Sequence, residues 1–242
     1  MADRILKDIR IYESDIENIS GNSHPSDLGK IIKSTMNANF IASRIARKLN
    51  ELKYSFGEPD HIYINLTTCL DENTIKVSNR KTEKWMKYID FGILPDYFNS
   101  LKDEKKDDFI EKTILTIFKS ISTKDNLELV NQVSEQLSKF GREMKILYKT
   151  KETKSYCVNI YYQIAPINKL SNIYLEYTDK KKDIKIVKKF DLKLYGDIYS
   201  LVDNISVKEN KIVLKPKKSF SAEITIKDYK TPIEFEINEL KK

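Results

Sequence analysis

Two histidines and two cysteines are the residues of this 242-residue chain best suited to proton transfer, nucleophilic attack or metal binding. His24 falls in Gly21-Asn22-Ser23-His24-Pro25-Ser26-Asp27, a loop leading into a helix start, and His61 opens an apolar, β-branched run. Cys69 with either histidine would give a nucleophile and its base. Yet Cys69 ends an apolar segment with no basic neighbour in sequence to stabilise a thiolate. Cys69 and Cys157 are isolated and form no CxxC spacing, so both are expected to be buried, reduced thiols. HExxH, GxSxG, Walker and GxGxxG patterns are absent from the sequence. No catalytic, metal or cofactor-binding residue is therefore assigned, and the expectation is a protein that is not an enzyme and carries no cofactor.

Carboxylates are the next candidates. Asp103, Glu104, Asp107, Asp108 and Glu111 alternate with Lys102, Lys105, Lys106 and Lys112 at helical spacing. Opposite charges three or four residues apart describe a solvated helix face better than a metal site.

The densest aromatic stretch is Arg80–Phe98, which holds the single tryptophan and interleaves cations with rings. Trp, Tyr and Arg anchor interfaces, so Arg80, Lys81, Lys84, Trp85, Lys87, Tyr88, Asp96 and Tyr97 are the candidate partner-binding residues. The same stretch has a structural explanation. Trp85, Tyr88 and Ile89 at i, i+3, i+4 predict a short helix pinned to the core, closed by Gly92, with Lys81, Lys84 and Lys87 exposed.

These residues must be positioned by two unlike halves. Before residue 150 the apolar period is mostly helical. A strand is expected over Ile5–Tyr12, and a helix from the Pro25 region to about Leu52 with Ala38, Ile41, Ile45 and Leu49 on one stripe. A further strand covers His61–Leu70. A helix opens at a capping box, Ser100-Leu101-Lys102-Asp103, and buries Ile110, Ile114, Ile117 and Ile121. A second helix carries Val130, Val133, Leu137, Phe140, Met144 and Leu147, and Ser122–Asp125 joins the two as an αα-hairpin. After residue 150 the period becomes two: Val158–Ile164, Ile173–Tyr177, Phe190–Leu194, Ala222–Ile226 and Ile233–Ile237 alternate. Polar turns at Asp179–Asp183, Glu209–Lys211 and Pro216–Lys218 separate those segments. The expected fold is α+β, with a helix-rich domain over 1–150 and an antiparallel sheet or sandwich over 151–242.

The net charge of +7 lies wholly in residues 149–242, which hold 20 lysines, no arginine and 13 acidic residues. A basic half suits a polyanion, but base readout and stacking rely on the guanidinium fork. Lysines flanking alternating apolar positions also protect sheet edges and outer faces.

The order of the His61-Ile62-Tyr63-Ile64-Asn65-Leu66 strand, the Trp85–Gly92 segment and the helical pair resembles bacterial immunity proteins of polymorphic toxin systems, over roughly residues 55–145. The resemblance implies a non-enzymatic protein that binds and blocks a cognate toxin. With a basic chain, the expected partner is a protein with an acidic surface. A nucleic-acid-associated protein using the lysine-rich half is the alternative, and an enzyme of unrecognised type the third. Residues Met1–Leu6 show no basic-then-apolar leader, and no run approaches the length of a membrane span, so a cytoplasmic location with no membrane partner is expected.

Overall fold

A computed structural model describes residues 3–33, 36–182, 184–208 and 210–237. Met1, Ala2, Asp183 and Glu209, named above, lie outside them. The fold is α+β, and the chain divides into two compact units, Met1–Met144 and Lys145–Lys242.

The first unit is organised by a sheet that its helical periodicity hides. β1 (Asp8–Ser14) pairs with the two-residue β2 (Ser26–Asp27), and α1 (Ala38–Glu51) crosses over to β3 (His61–Thr67). β4 (Ile75–Val77) and β5 (Met86–Gly92) complete the order β2-β1-β3-β5-β4, in which β1, β3 and β5 are parallel. Three helices follow: α2 (Pro95–Ser100), α3 (Asp103–Ile121) and α4 (Lys124–Phe140). α3 and α4 form the expected helical pair, joined by Ser122 and Thr123. One sheet face sends Ile9, Ile11, Ile62, Ile64, Ile89 and Phe91 into a core shared with α1, α3 and α4.

Several expectations are corrected. The helix expected from Pro25 begins only at Ala38. Glu13, fully buried at the end of β1, accepts the backbone amides of Lys30, Ile31 and Ile32 at 2.7, 3.1 and 2.8 Å, which holds that segment out of a helix. The stretch after Trp85 is strand β5, not a helix: Tyr88 and Ile89 face opposite sides of a sheet, and a short apolar run fits either period. α3 starts without a side-chain cap, so the capping box at Ser100 does not form. α4 stops at Phe140 because Gly141 turns to a positive φ of 50°, leaving Met144 and Leu147 outside it. Arg44 and Lys48, which lie outside the apolar stripe of α1, are also buried.

The second unit is antiparallel. β6 (Ile146–Glu152), β7 (Tyr156–Gln163), β8 (Ser171–Asp179) and β9 (Ile184–Leu192) form a meander in sequence order. After the short α5 (Ile198–Leu201), β10 (Asn204–Lys208), β11 (Lys211–Lys215) and β12 (Ile233–Glu236) make a three-stranded sheet. Between β11 and β12, Phe220–Ile226 is helix α6 rather than the expected strand, its first turn capped by Ser219 Oγ accepting the Ala222 amide. Among the described residues no helix is long and apolar enough to cross a membrane.

Candidate functional site

The parallel register fixes what shares a row on the far face of the first unit's sheet. Arg10, Tyr63 and Tyr88 form one row; Tyr12, Asn65 and Asp90 the next; Ser14, Thr67 and Gly92 the last. Strand alternation points these side chains away from the apolar core.

Tyr12, Tyr63 and Tyr88 are in mutual ring contact, with centroids 5.4–6.0 Å apart. Arg10 lies over Tyr63 and Arg80 over Tyr88. Burial pushes the Tyr63 and Tyr88 phenols above their ordinary pKa, and both rings are only 7% exposed. Rings closed in this way are not free to stack on nucleic-acid bases.

Toward the carboxyl ends of the strands the face becomes a hydrogen-bond network. Asn65 Nδ2 donates to Ser14 Oγ at 2.9 Å and to Asp90 Oδ1 at 2.7 Å. Arg80 Nη1 donates to the same Asp90 oxygen at 2.6 Å and to Ser78 Oγ at 2.7 Å, while its Nε donates to the Ser23 carbonyl. Ser14 Oγ donates to Thr67 Oγ1, which also accepts the Cys69 amide. One atom is left out: Asn65 Oδ1 is buried without a donor. An unsatisfied buried acceptor costs about 1–3 kcal/mol.

This network floors a cleft of about 50 Å³ beyond the strand ends. Ser14 and Ile16 also line an adjoining cavity of about 230 Å³, together with His24 and Lys30. Open α/β sheets place ligands at this edge, outside the carboxyl ends of parallel strands.

The sequence-derived residues distribute around this arrangement rather than forming one patch. Arg80 and Tyr88 are buried inside it, and Arg80 is committed to Asp90, so neither offers itself to a partner. Lys81 is exposed, and its amide bonds the Gly21 carbonyl in the loop after β1. Lys84, Trp85 and Lys87 lie at or before the amino end of β5, where Trp85 packs edge-on to His61 at 4.8 Å. Lys84 and Trp85 are exposed and Lys87 is half-buried. Asp96 and Tyr97 are exposed on α2, beyond the other end of that strand, about 20 Å away along its length.

His61 and Cys69 are likewise separated by the length of β3, with His61 bonded to Asp60 at 2.6 Å, so they do not form a nucleophile–base pair. Cys69 sits in the turn after β3, and it and Cys157 are free and half-buried, not buried. Among the described residues no three His, Cys, Asp or Glu side chains are placed to hold a metal ion. Ser14, Asn65, Thr67 and Asp90 escaped sequence reasoning. Their signal was a polar residue at every second position of otherwise apolar strands, as in Asn65 and Thr67.

In the second unit the order places β9, with Lys185, Lys188 and Lys189, at a sheet edge, where lysine discourages edge pairing. On the opposite edge strand, Lys149 and Lys151 donate to the carbonyls of Asp203 and Ile205. Other lysines are taken up in ion pairs, Lys145 and Lys185 with Glu176 and Lys211 with Glu234 and Glu236.

No protein-family model matches the chain, and neither a curated protein nor a solved structure shows significant similarity to it.

Proposed function

We propose that the chain is a non-catalytic cytoplasmic binding protein that engages a protein partner of acidic surface, with neutralisation of a bacterial toxin, in the manner of an immunity protein, as its specific role. The observation that carries this reading is the gathering of large apolar side chains beyond one edge of the first unit's sheet. Ile16 and Ile19 follow β1, Leu94 and Tyr97 follow β5, and all four are exposed, Ile19 to 82%. Exposed apolar residues scattered singly are ordinary; four that follow the carboxyl ends of two parallel strands of one sheet are the material of a docking surface. Asp96 and Lys81 supply a polar rim. The second unit adds electrostatic bias, since residues 145–242 carry 21 lysines against 13 acids, which favours encounter with an acidic partner.

Affinity purification of the tagged protein from its source cell tests the proposal, run beside the Ile19→Asp/Tyr97→Asp double variant. The expected result is one stoichiometric protein, weakened by salt and lost in the variant. Recovery of no stoichiometric protein with the unaltered chain, or equal recovery with both, overturns the proposal.

A further inference from the structure

We infer that the cleft at the carboxyl ends of β1, β3 and β5 is a binding site for a small neutral ligand with adjacent hydroxyl groups, a free sugar or the ribose of a nucleoside. The inference stands on the cleft alone and does not depend on the protein partner proposed above.

Asn65 is its centre. The amide orientation is forced, because turning it over would set Oδ1 against Asp90 Oδ1 at 2.7 Å, two acceptors facing one another. Nδ2 is therefore committed to Ser14 and Asp90, and Oδ1 remains an acceptor without a donor on a side chain only 1% exposed. Beside it, Asp90 uses one oxygen for both Asn65 and Arg80, and among the described residues no donor reaches its Oδ2. One buried acceptor without a donor, and on the adjacent strand one partly exposed carboxylate, thus suit a ligand that carries two donors.

Charge then selects among donors. The charged side chains lining the cleft are Glu17, Lys76, Arg80 and Asp90, two of each sign, with Arg80 and Asp90 already paired at 2.6 Å. An ammonium would meet Arg80 and Lys76, and a carboxylate or phosphate would meet the uncommitted acceptors. A vicinal diol meets neither objection. Its hydroxyl hydrogens suit Asn65 Oδ1 and Asp90 Oδ2, and its oxygens can accept from Lys76, which pairs with Asp90 across β4 and β5. Ile16 and Leu70 supply apolar wall for the C–H surface of a ring. The adjoining cavity of about 230 Å³, which shares Ser14 and Ile16 with the cleft, has room for the remainder of a nucleoside or a second sugar ring.

The test is titration of the full chain with D-glucose, D-ribose, adenosine and 2′,3′-dideoxyadenosine at millimolar concentrations, read by ligand-observed NMR and thermal shift. Saturable binding of at least one diol probe is expected, weakened about tenfold in Asn65→Leu and in Lys76→Ala. Lys76 is exposed, so its substitution keeps the question open to measurement if Asn65→Leu disturbs folding. Adenosine binding that is lost in the dideoxy analogue identifies ribose; glucose binding without adenosine binding identifies a free sugar. The inference is overturned by failure of all three diol probes, by binding that survives Lys76→Ala undiminished, or by a carboxamide probe, L-glutamine, binding in their place.

Discussion

Asp60 is a single side chain on which the amino end of the sheet depends. Its carboxylate is 2% exposed, with Lys7 Nζ at 2.8 Å on one oxygen and His61 Nδ1 at 2.6 Å on the other. Burial, the largest single influence, raises its pKa, but the hydrogen bonds from Lys7 and His61 together outweigh it and the carboxyl is held below its ordinary 3.8. A carboxyl depressed in the folded state binds protons more readily when unfolded. Its stabilisation is therefore complete above the unfolded value and is lost as pH falls through the folded one. Asp60→Asn should lower stability by about 1–3 kcal/mol at neutral pH, and the gap between variant and parent should narrow below about pH 4. Urea midpoints at both pH values check this. Glu13 is the corresponding residue at the carboxyl end. Its three bonds to the Lys30–Ile32 amides are charge-assisted, so Glu13→Ala should cost about 2–4 kcal/mol, and Glu13→Gln less, in the same assay. Neither role was legible in sequence. Asn65 shows why: its partners Asp90 and Ser14 lie 25 and 51 residues away, and only the parallel register brings them side by side.

At the scale of elements, what was legible depended on whether one period excluded the other. α3 and α4 were readable because their apolar residues recur over about three turns, too long for a strand. β5 was not, since Tyr88 and Ile89 satisfy a helical stripe as well as the two faces of a strand. α6 failed in the opposite sense: Ala222, Ile224 and Ile226 alternate, yet Ala222 is buried and Ile224 exposed on a single helix begun by Ser219. The glycine that ends β5 has a role no periodicity reports. A Cβ on Gly92 would lie 1.9 Å from the Asp71 carbonyl oxygen, in the backbone of the turn after β3. The backbone cannot rotate away as a side chain would, so Gly92→Ala should destabilise by about 3 kcal/mol. Gly196→Ala, where nothing lies within 4 Å of the added carbon, should change stability by no more than about 0.5 kcal/mol. Chemical denaturation of both variants checks the pair.

At the scale of the whole chain, two units of different composition suggest a division of labour. The first holds the mixed sheet, its cleft and the exposed Ile16, Ile19, Leu94 and Tyr97; the second holds most of the lysine. Each has buried apolar residues of its own: Ile62, Ile64 and Ile89 in the first, Val158, Ile160, Ile173 and Leu175 in the second. A unit with its own core can fold alone, so fragments 1–144 and 145–242 should each unfold cooperatively when expressed separately. If the apolar rim is the docking surface, folded 1–144 should still capture the partner, but with a shallower dependence on salt than the full chain, because the lysines that steer an acidic protein are gone. Titration of partner binding against ionic strength for the fragment and the full chain separates the two contributions. Capture by 145–242 and not by a folded 1–144 would transfer the docking surface to the lysine-rich unit. The cleft around Asn65 would then remain, independent of any protein partner, as the functional feature of the first.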